Sequence, residues 1–170
     1  MLVYLLLSCF ASPARAEIVD RVAVVIEDQL VLQSEVSIEA ALSQLDDSPS
    51  PFWSAGGGNA LERLVDAAVL RHSAGAVALY QPHRNDVATR LEAVRAKFED
   101  RRAWATFLSD YGLDEDRLAV VLRRRMVVER YLSRNLTESV QDKPRWQAAS
   151  DELLAQLRPR TAIRAVPVTH

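Results

Sequence analysis

Short runs of β-branched residues stand near the two ends of the chain, and apolar positions repeat with helical spacing between them. Ile18–Ile26 is rich in valine and isoleucine and predicts a strand, and Gln29–Leu32 predicts a short return strand after a turn at 27–28. Thr161–Val168 alternates like an edge strand, a position in which Pro167 is tolerated. Extended segments are therefore expected at both ends of a helical body.

The central part of the chain follows the helical period of about 3.6 residues, which is typical of amphipathic helices. Four predicted helices are Glu35–Leu45, Ala60–Leu79, Glu115–Asn135 and Arg145–Leu157. A further helix is predicted to be capped by Asn85 or Asp86 and to carry Val87, Leu91, Val94 and Phe98 on one face. A short aromatic helix is predicted around Trp104, Phe107, Leu108 and Tyr111. Ser34, Asn59 and Asp114 stand where N-caps belong, and Gly112 is placed to end the aromatic helix.

The segment Asp46–Gly58 is predicted to be a loop because it is rich in proline, glycine and serine. It is not a phosphate-binding loop, since Asn59 follows the glycines where Gly-Lys-Ser/Thr would be required. Phe52 and Trp53 are large apolar residues in this loop. They are expected either to pack on the domain surface or to contact a client chain.

The two terminal strands are expected to pair with each other. An isolated strand would leave a row of backbone amides and carbonyls without partners, which is costly when buried. Ile18–Ile26 should therefore pair with about Ala162–Val168. The predicted fold is mainly α, a multi-helix domain closed by a small β-sheet that pairs the N- and C-terminal strands.

The first sixteen residues are typical of a signal peptide, which predicts export to the periplasm with cleavage after Ala16 and a mature domain at 17–170. Leu2–Phe10 is apolar except for Ser8, and it is shorter than the roughly 20 residues that span a bilayer. No basic residue precedes it, so an uncleaved anchor, a core strand or a lipoprotein signal ending at Cys9 are alternatives. No stable membrane insertion is expected after cleavage.

Composition and charge argue against several kinds of partner and against a disulfide-stabilised fold. The chain is 49% apolar and 26% charged, which is typical of a globular domain. Its net charge of −2 gives no electrostatic reason to expect nucleic acid or an acidic membrane surface as a partner. Cys9 is the only cysteine, so the mature chain is expected to depend on packing rather than on a disulfide.

No residue set predicts catalysis, a cofactor or a metal. The histidines His72, His83 and His170 lack metal-ligand spacing, and His72 is expected to be a structural residue on or beside an apolar helix face. The run Arg123–Arg125 is interpreted as a solvated helix face, with Glu129 placed to pair weakly with Arg125.

Four ordered segments resemble the N-terminal domain of the SurA family of periplasmic chaperones for outer-membrane proteins. They are Ile18–Val36 (IVDRVAVVIEDQLVLQSEV), Leu61–Leu70 (LERLVDAAVL), Phe107–Leu113 (FLSDYGL) with the arginine-rich helix after it, and Trp146–Val168. Members of that family carry parvulin-type prolyl isomerase domains before the closing helix. Here only Thr137–Pro144 lies there, so the resemblance implies a chaperone domain without isomerase activity.

The resemblance implies binding of unfolded or outer-membrane polypeptides as clients, without catalysis. Such binding needs an exposed apolar groove or a free sheet edge. Candidate client-binding residues are Val22, Val24 and Ile26 at a strand edge, and Phe52, Trp53, Trp104 and Tyr111 as aromatic contacts. A dedicated assembly partner or structural subunit of an envelope complex is the alternative, and a prolyl isomerase is a third, disfavoured hypothesis.

Overall fold

The computed structural model of the protein describes residues 20–54 and 59–166. These residues form β1 (Val22–Ile26), β2 (Gln29–Leu32), α1 (Gln33–Leu45), α2 (Ala60–Ala74), α3 (Arg84–Arg95), α4 (Arg101–Asp110), α5 (Glu115–Asn135), α6 (Lys143–Leu157) and β3 (Ile163–Ala165). Short 3-10 turns occupy Pro51–Trp53, Ala78–Tyr80 and Arg158–Arg160. The predicted signal peptide at 1–16, with Cys9, and the C-terminal His170 lie outside the described residues.

The chain ends pair in one antiparallel sheet of strand order β2-β1-β3, which confirms the predicted fold class. Val24 lies opposite Ala165, and Ile26 lies opposite Ile163. The pairing continues into the β1–β2 turn, where the Glu27 amide donates to the Ala162 carbonyl at 2.8 Å. Glu27 has a φ of 53°, which lets the turn reverse the chain within two residues.

Capping side chains fix where several helices begin. Asn59 and Glu62 form the predicted reciprocal cap at the start of α2, and the Asp114 carboxylate accepts from the Arg117 amide at the start of α5. Gly112 has a φ of 61° just after α4, as predicted. Ser34 is not the predicted cap of α1, because the helix begins at Gln33, two residues before the predicted start at Glu35, and the Ser34 amide donates to Asp20.

Two helices are shorter than their apolar patterns predict. The pattern in α2 continues to Leu79, but the helix ends at Ala74 because Gly75 adopts a φ of 54°. The pattern in α3 continues to Phe98, but the helix ends at Arg95. Phe98 still packs on the aromatic rings of Trp104 and Phe107 from the following turn. In both cases the apolar pattern therefore continues beyond the residue at which the helix ends.

The apolar side chains form three clusters around α5, α1 and the sheet. One joins the 51–53 turn to α2, α5 and α6, a second joins α1 and α4 to the first half of α5, and a third joins the sheet to α2. No helix in the described residues is both long and apolar enough to cross a membrane.

Candidate functional site

Most of the predicted client-binding residues lie in the core. Val24, Ile26, Phe52, Trp53 and Trp104 are all buried. Their burial is favourable because each packs in one of the three apolar clusters. As placed here, none of the five offers an exposed apolar surface to a client.

The strand edge expected at Val22–Ile26 is absent, and this expectation is corrected. β1 is the central strand, paired on one side with β2 and on the other with β3. Its backbone is therefore paired on both sides over Val24–Ile26. Val22 itself is only partly buried.

Arg125 does not belong to a solvated helix face, which corrects the interpretation of the Arg123–Arg125 run. It is 2% exposed. Its Nη1 donates to Glu39 and its Nε donates to Asp46 at 3.0 Å, while its guanidinium lies 4.1 Å from the centre of the Trp53 ring. Glu129, expected to pair with Arg125, instead accepts from Arg90 at 2.9 Å.

These ion pairs make a buried network that holds α1, α2, α3 and α5 together. Glu39 accepts from Arg63 as well as from Arg125, and Asp46 accepts from Arg90 as well as from Arg125. A buried charge is tolerated only when it is paired in this way. The network positions the start of the polar loop after α1 and the face of α5 beside it.

A groove runs across the outer side of α5, and we call it the arginine groove. It consists of three adjoining depressions that share Arg124, with walls from α1, β2, α2 and α5. The residues that line it include Gln29, Leu30, Glu35, Ile38, Arg71, Tyr111, Arg117, Val120, Val121, Arg123 and Arg124. Tyr111 is the one predicted aromatic contact that lines an open part of this groove.

The widest depression in the arginine groove combines positive charge with exposed apolar surface. It has a volume of about 490 Å³ and is lined by Arg71, Arg123 and Arg124 without any carboxylate. Leu30 and Val120 stand at the same depression with 55% and 50% of their surface exposed. Arginine with exposed aliphatic residues suits an extended, partly apolar chain that carries negative charge.

Arg71 has an unusual environment for a charged residue. Its Nη2 donates to the Gln29 amide oxygen at 3.1 Å, and within the described residues no carboxylate oxygen lies within 4 Å of its guanidinium. The pKa of Arg71 is lowered to about 10, mainly by burial and also by nearby Arg124, while Glu35 opposes the shift. The side chain therefore remains charged at neutral pH although its charge is poorly compensated.

Behind the groove, between Arg71 and Arg124, lies a small inner cavity of about 30 Å³. Trp53 and Arg125 line it from the core side, and Glu35 and Glu39 line it from α1. The Nε1 of Trp53 and the Nη2 of Arg125 are buried and have no hydrogen-bond partner among the described residues. Both atoms are donors only, and both belong to residues that line the cavity.

At its other end the arginine groove widens beside the loop after α4. This depression, of about 290 Å³, is lined by Tyr111, Leu113, Arg117 and Val120. Arg124 lines both this depression and the inner cavity, and it donates to Glu35 at 3.0 Å. The two open depressions therefore both adjoin the inner cavity at Arg124, and they adjoin each other at Val120.

The remaining chemistry-bearing residues do not converge. His72 and His83 are both exposed, so the expectation of a structural His72 on the apolar face is wrong. Among the residues that the structure describes, no group of three or more histidine, cysteine, aspartate or glutamate side chains could hold a metal ion.

Sequence reasoning missed the arginine groove because Arg71 was not singled out. One signal could have located Arg125: it follows Leu118 by seven residues and Leu122 by three, so it lies on the buried face of α5. The chain matches no known protein-family model and no curated protein sequence.

Proposed function

We propose that the protein is a periplasmic, chaperone-like protein that binds unfolded or outer-membrane polypeptides without catalysis. The observation that carries this proposal is the arginine groove, where Leu30 and Val120 are half exposed beside Arg71, Arg123 and Arg124, and no carboxylate lines the same depression. A groove of this kind suits weak binding of an extended chain, because the aliphatic residues accept varied side chains and the arginines keep the surface soluble.

The placement of β2 supports the same proposal. β2 is an outer strand of the described sheet, and its residues Gln29 and Leu30 form one wall of the groove. An outer strand can accept an extended peptide through main-chain hydrogen bonds, which are independent of the peptide's sequence. The predicted signal peptide and the four segments that resemble SurA-type chaperones support the periplasmic assignment.

Suppression of aggregation tests this function. An unfolded outer-membrane protein is diluted out of urea with and without a several-fold molar excess of the protein, and light scattering is followed. We expect the protein to suppress scattering and Val120→Asp to lose most of that effect, because a carboxylate would occupy the apolar floor of the groove. Val140→Asp, at an exposed valine outside the groove, is the matched control. No suppression by the unmodified protein would refute the proposal.

A dedicated partner of an envelope assembly is the second candidate function. The observation that favours it is the inner cavity, whose small volume and unpaired donors suit one defined chemical group. Co-purification of one stoichiometric partner, without general suppression of aggregation, would support this second candidate over the first.

A further inference from the structure

Two residues that line the inner cavity of the arginine groove, Trp53 and Arg125, carry donors that need an acceptor. Trp53 Nε1 and Arg125 Nη2 have no hydrogen-bond partner among the described residues, and both residues are 2% exposed. Arg71, on the groove side of the same cavity, has an amide oxygen as its partner where a carboxylate would serve better.

The charges already facing the cavity are engaged with each other. Glu35 accepts from Arg124, and Glu39 accepts from Arg125 and Arg63. Three arginines and two glutamates line the cavity, so Arg71 supplies the excess positive charge. An incoming negative group would therefore be attracted to the Arg71 side of the cavity.

The shape of the groove indicates how such a group arrives. Both open depressions adjoin the inner cavity, since all three share Arg124, and the two open depressions also share Val120. A peptide that contacts both open depressions extends past the residue that reaches Arg71. The group that pairs with Arg71 is then a side chain rather than a chain end.

We propose that the arginine groove recognises an extended peptide through a glutamate or aspartate side chain, whose carboxylate enters the inner cavity and pairs with Arg71. The carboxylate accepts from the Arg71 guanidinium, whose hydrogen-bond partner among the described residues is the neutral Gln29 amide oxygen. Apolar residues on either side of the acidic residue lie against Leu30 and Val120. This inference rests on the proposed function, and it assigns the preferred client as a peptide in which an acidic residue interrupts an apolar stretch.

The proposal implies selectivity against the neutral isostere. A carboxylate that pairs with Arg71 makes a charge-assisted hydrogen bond, which is lost when the carboxylate becomes an amide, and an amide nitrogen would face the guanidinium. Binding through the flanking apolar residues would remain. Glutamate and glutamine peptides of the same sequence should therefore differ in affinity while both still bind.

Fluorescence anisotropy with labelled peptides tests the proposal. The probes are a short apolar peptide with one central glutamate, the same peptide with glutamine, and the glutamate peptide with an amidated C-terminus. We expect the protein, produced from its full sequence, to bind both glutamate peptides about tenfold more tightly than the glutamine peptide. Arg71→Gln should bring the preference to within about twofold and leave the affinity for the glutamine peptide unchanged.

Control variants separate recognition from folding. Arg134→Gln, at an exposed arginine of α5 outside the groove, should retain the full preference for glutamate. Circular dichroism compares the unfolding temperatures of all variants. If Arg71→Gln does not fold, Arg123→Gln provides the second test, since Arg123 is exposed and its loss should weaken the glutamate preference without loss of structure.

The outcomes distinguish this inference from the proposed function. Equal affinity for glutamate and glutamine peptides, with aggregation still suppressed, would overturn the inference and leave the chaperone function standing. Loss of binding on C-terminal amidation would overturn the side-chain assignment in favour of a chain end. Absence of peptide binding together with absence of aggregation suppression would overturn both.

Discussion

Arg125 shows how one residue connects the core to the groove. Its guanidinium is paired with Glu39 and Asp46, stacks on Trp53, and leaves one nitrogen directed to no partner among the described residues. The side chain is therefore both a buried structural cation and part of the inner cavity wall. The two carboxylates that hold Arg125 in place determine whether this wall keeps its shape.

Replacing Glu39 with glutamine tests the structural role of this network. The substitution keeps the side-chain volume but removes the carboxylate that serves both Arg125 and Arg63, so buried positive charge loses compensation. We expect Glu39→Gln to lower the free energy of unfolding by about 3 kcal/mol, measured by urea denaturation. As a control, Asp47→Asn breaks an exposed pair with Lys97 and should change it by less than about 1 kcal/mol. Equal effects of the two substitutions would contradict the prediction.

Glu129 gives the stability a defined pH dependence. Burial raises the pKa of Glu129, and this outweighs the opposing effects of the Ser48 hydroxyl and the Arg90 guanidinium. At Arg90 the balance is reversed: burial lowers the pKa, but the carboxylates of Asp46 and Glu129 raise it more. Burial has the larger effect at Glu129 because its side chain is the more enclosed of the pair, at 10% exposed against 14% for Arg90.

Proton binding by Glu129 determines whether its contribution to stability rises or falls with pH. With its pKa raised on folding, Glu129 binds more protons in the folded state, so its contribution to stability is present at low pH and decreases as pH rises through the folded-state pKa. We expect the unfolding free energy of wild type, relative to Glu129→Gln, to decrease between about pH 4 and pH 7. Urea denaturation of both proteins across this range measures it. A difference that stays constant or increases would show that Arg90 outweighs burial.

At the scale of elements, the end of α2 determines the shape of the groove. Gly75 lines the widest depression and terminates the helix one turn after Arg71, so the chain turns away and leaves the Arg71 side of the groove open. A continued helix to Leu79, as its apolar pattern predicts, would extend along this wall. The glycine is required because its φ is 54°.

Gly75→Ala should therefore destabilise the protein through backbone conformation alone. A Cβ added at Gly75 meets no heavy atom within 4 Å, so the expected cost of about 1–3 kcal/mol comes from the backbone, whose φ of 54° and ψ of −151° suit glycine almost alone. Gly75→Ser should cost about the same, because it meets the same backbone restriction. Thermal unfolding monitored by circular dichroism measures both. Unchanged stability would mean that α2 ends for another reason.

The elements were predictable from sequence where they depend on local spacing. The helical periods of α5 and α6, the caps at Asn59 and Asp114, and the pairing of the chain ends all follow from neighbouring residues or from the need to satisfy backbone groups. The arginine groove was not predictable in this way. It brings Leu30, Arg71 and Arg124 together from three elements, and their juxtaposition depends on packing angles that no local pattern encodes.

At the scale of the whole molecule, charge is distributed unevenly. The net charge of −2 gave no reason to expect an anionic partner, yet the widest depression of the groove is lined by three arginines and no carboxylate. Much of the acidic side-chain charge elsewhere is engaged in ion pairs, at Glu39, Asp46 and Glu129 among others. Local excess charge, rather than net charge, therefore determines which partner the surface suits.

The pairing of the chain ends completes the sheet that supports this surface. β2 forms a wall of the groove, β2 depends on β1, and β1 is held on its other side by β3 and by the bonds between Glu27 and Ala162. Loss of β3 would expose one side of β1 to solvent and to other chains. The position of the groove wall would then depend on a two-stranded hairpin, which is marginally stable alone.

Two truncations test this dependence. A chain that stops after Thr161 lacks β3, and we expect the Glu27 amide, which donates to Ala162, to lose its protection against hydrogen exchange together with amides of β1. A chain that stops after Val166 retains the β1–β3 register and should keep that protection. Because the groove wall depends on the same sheet, the shorter chain should also bind the glutamate peptide more weakly, while exchange in the middle of α5 remains slow. Full protection of Glu27 in the chain that stops after Thr161 would show that β3 does not support the sheet.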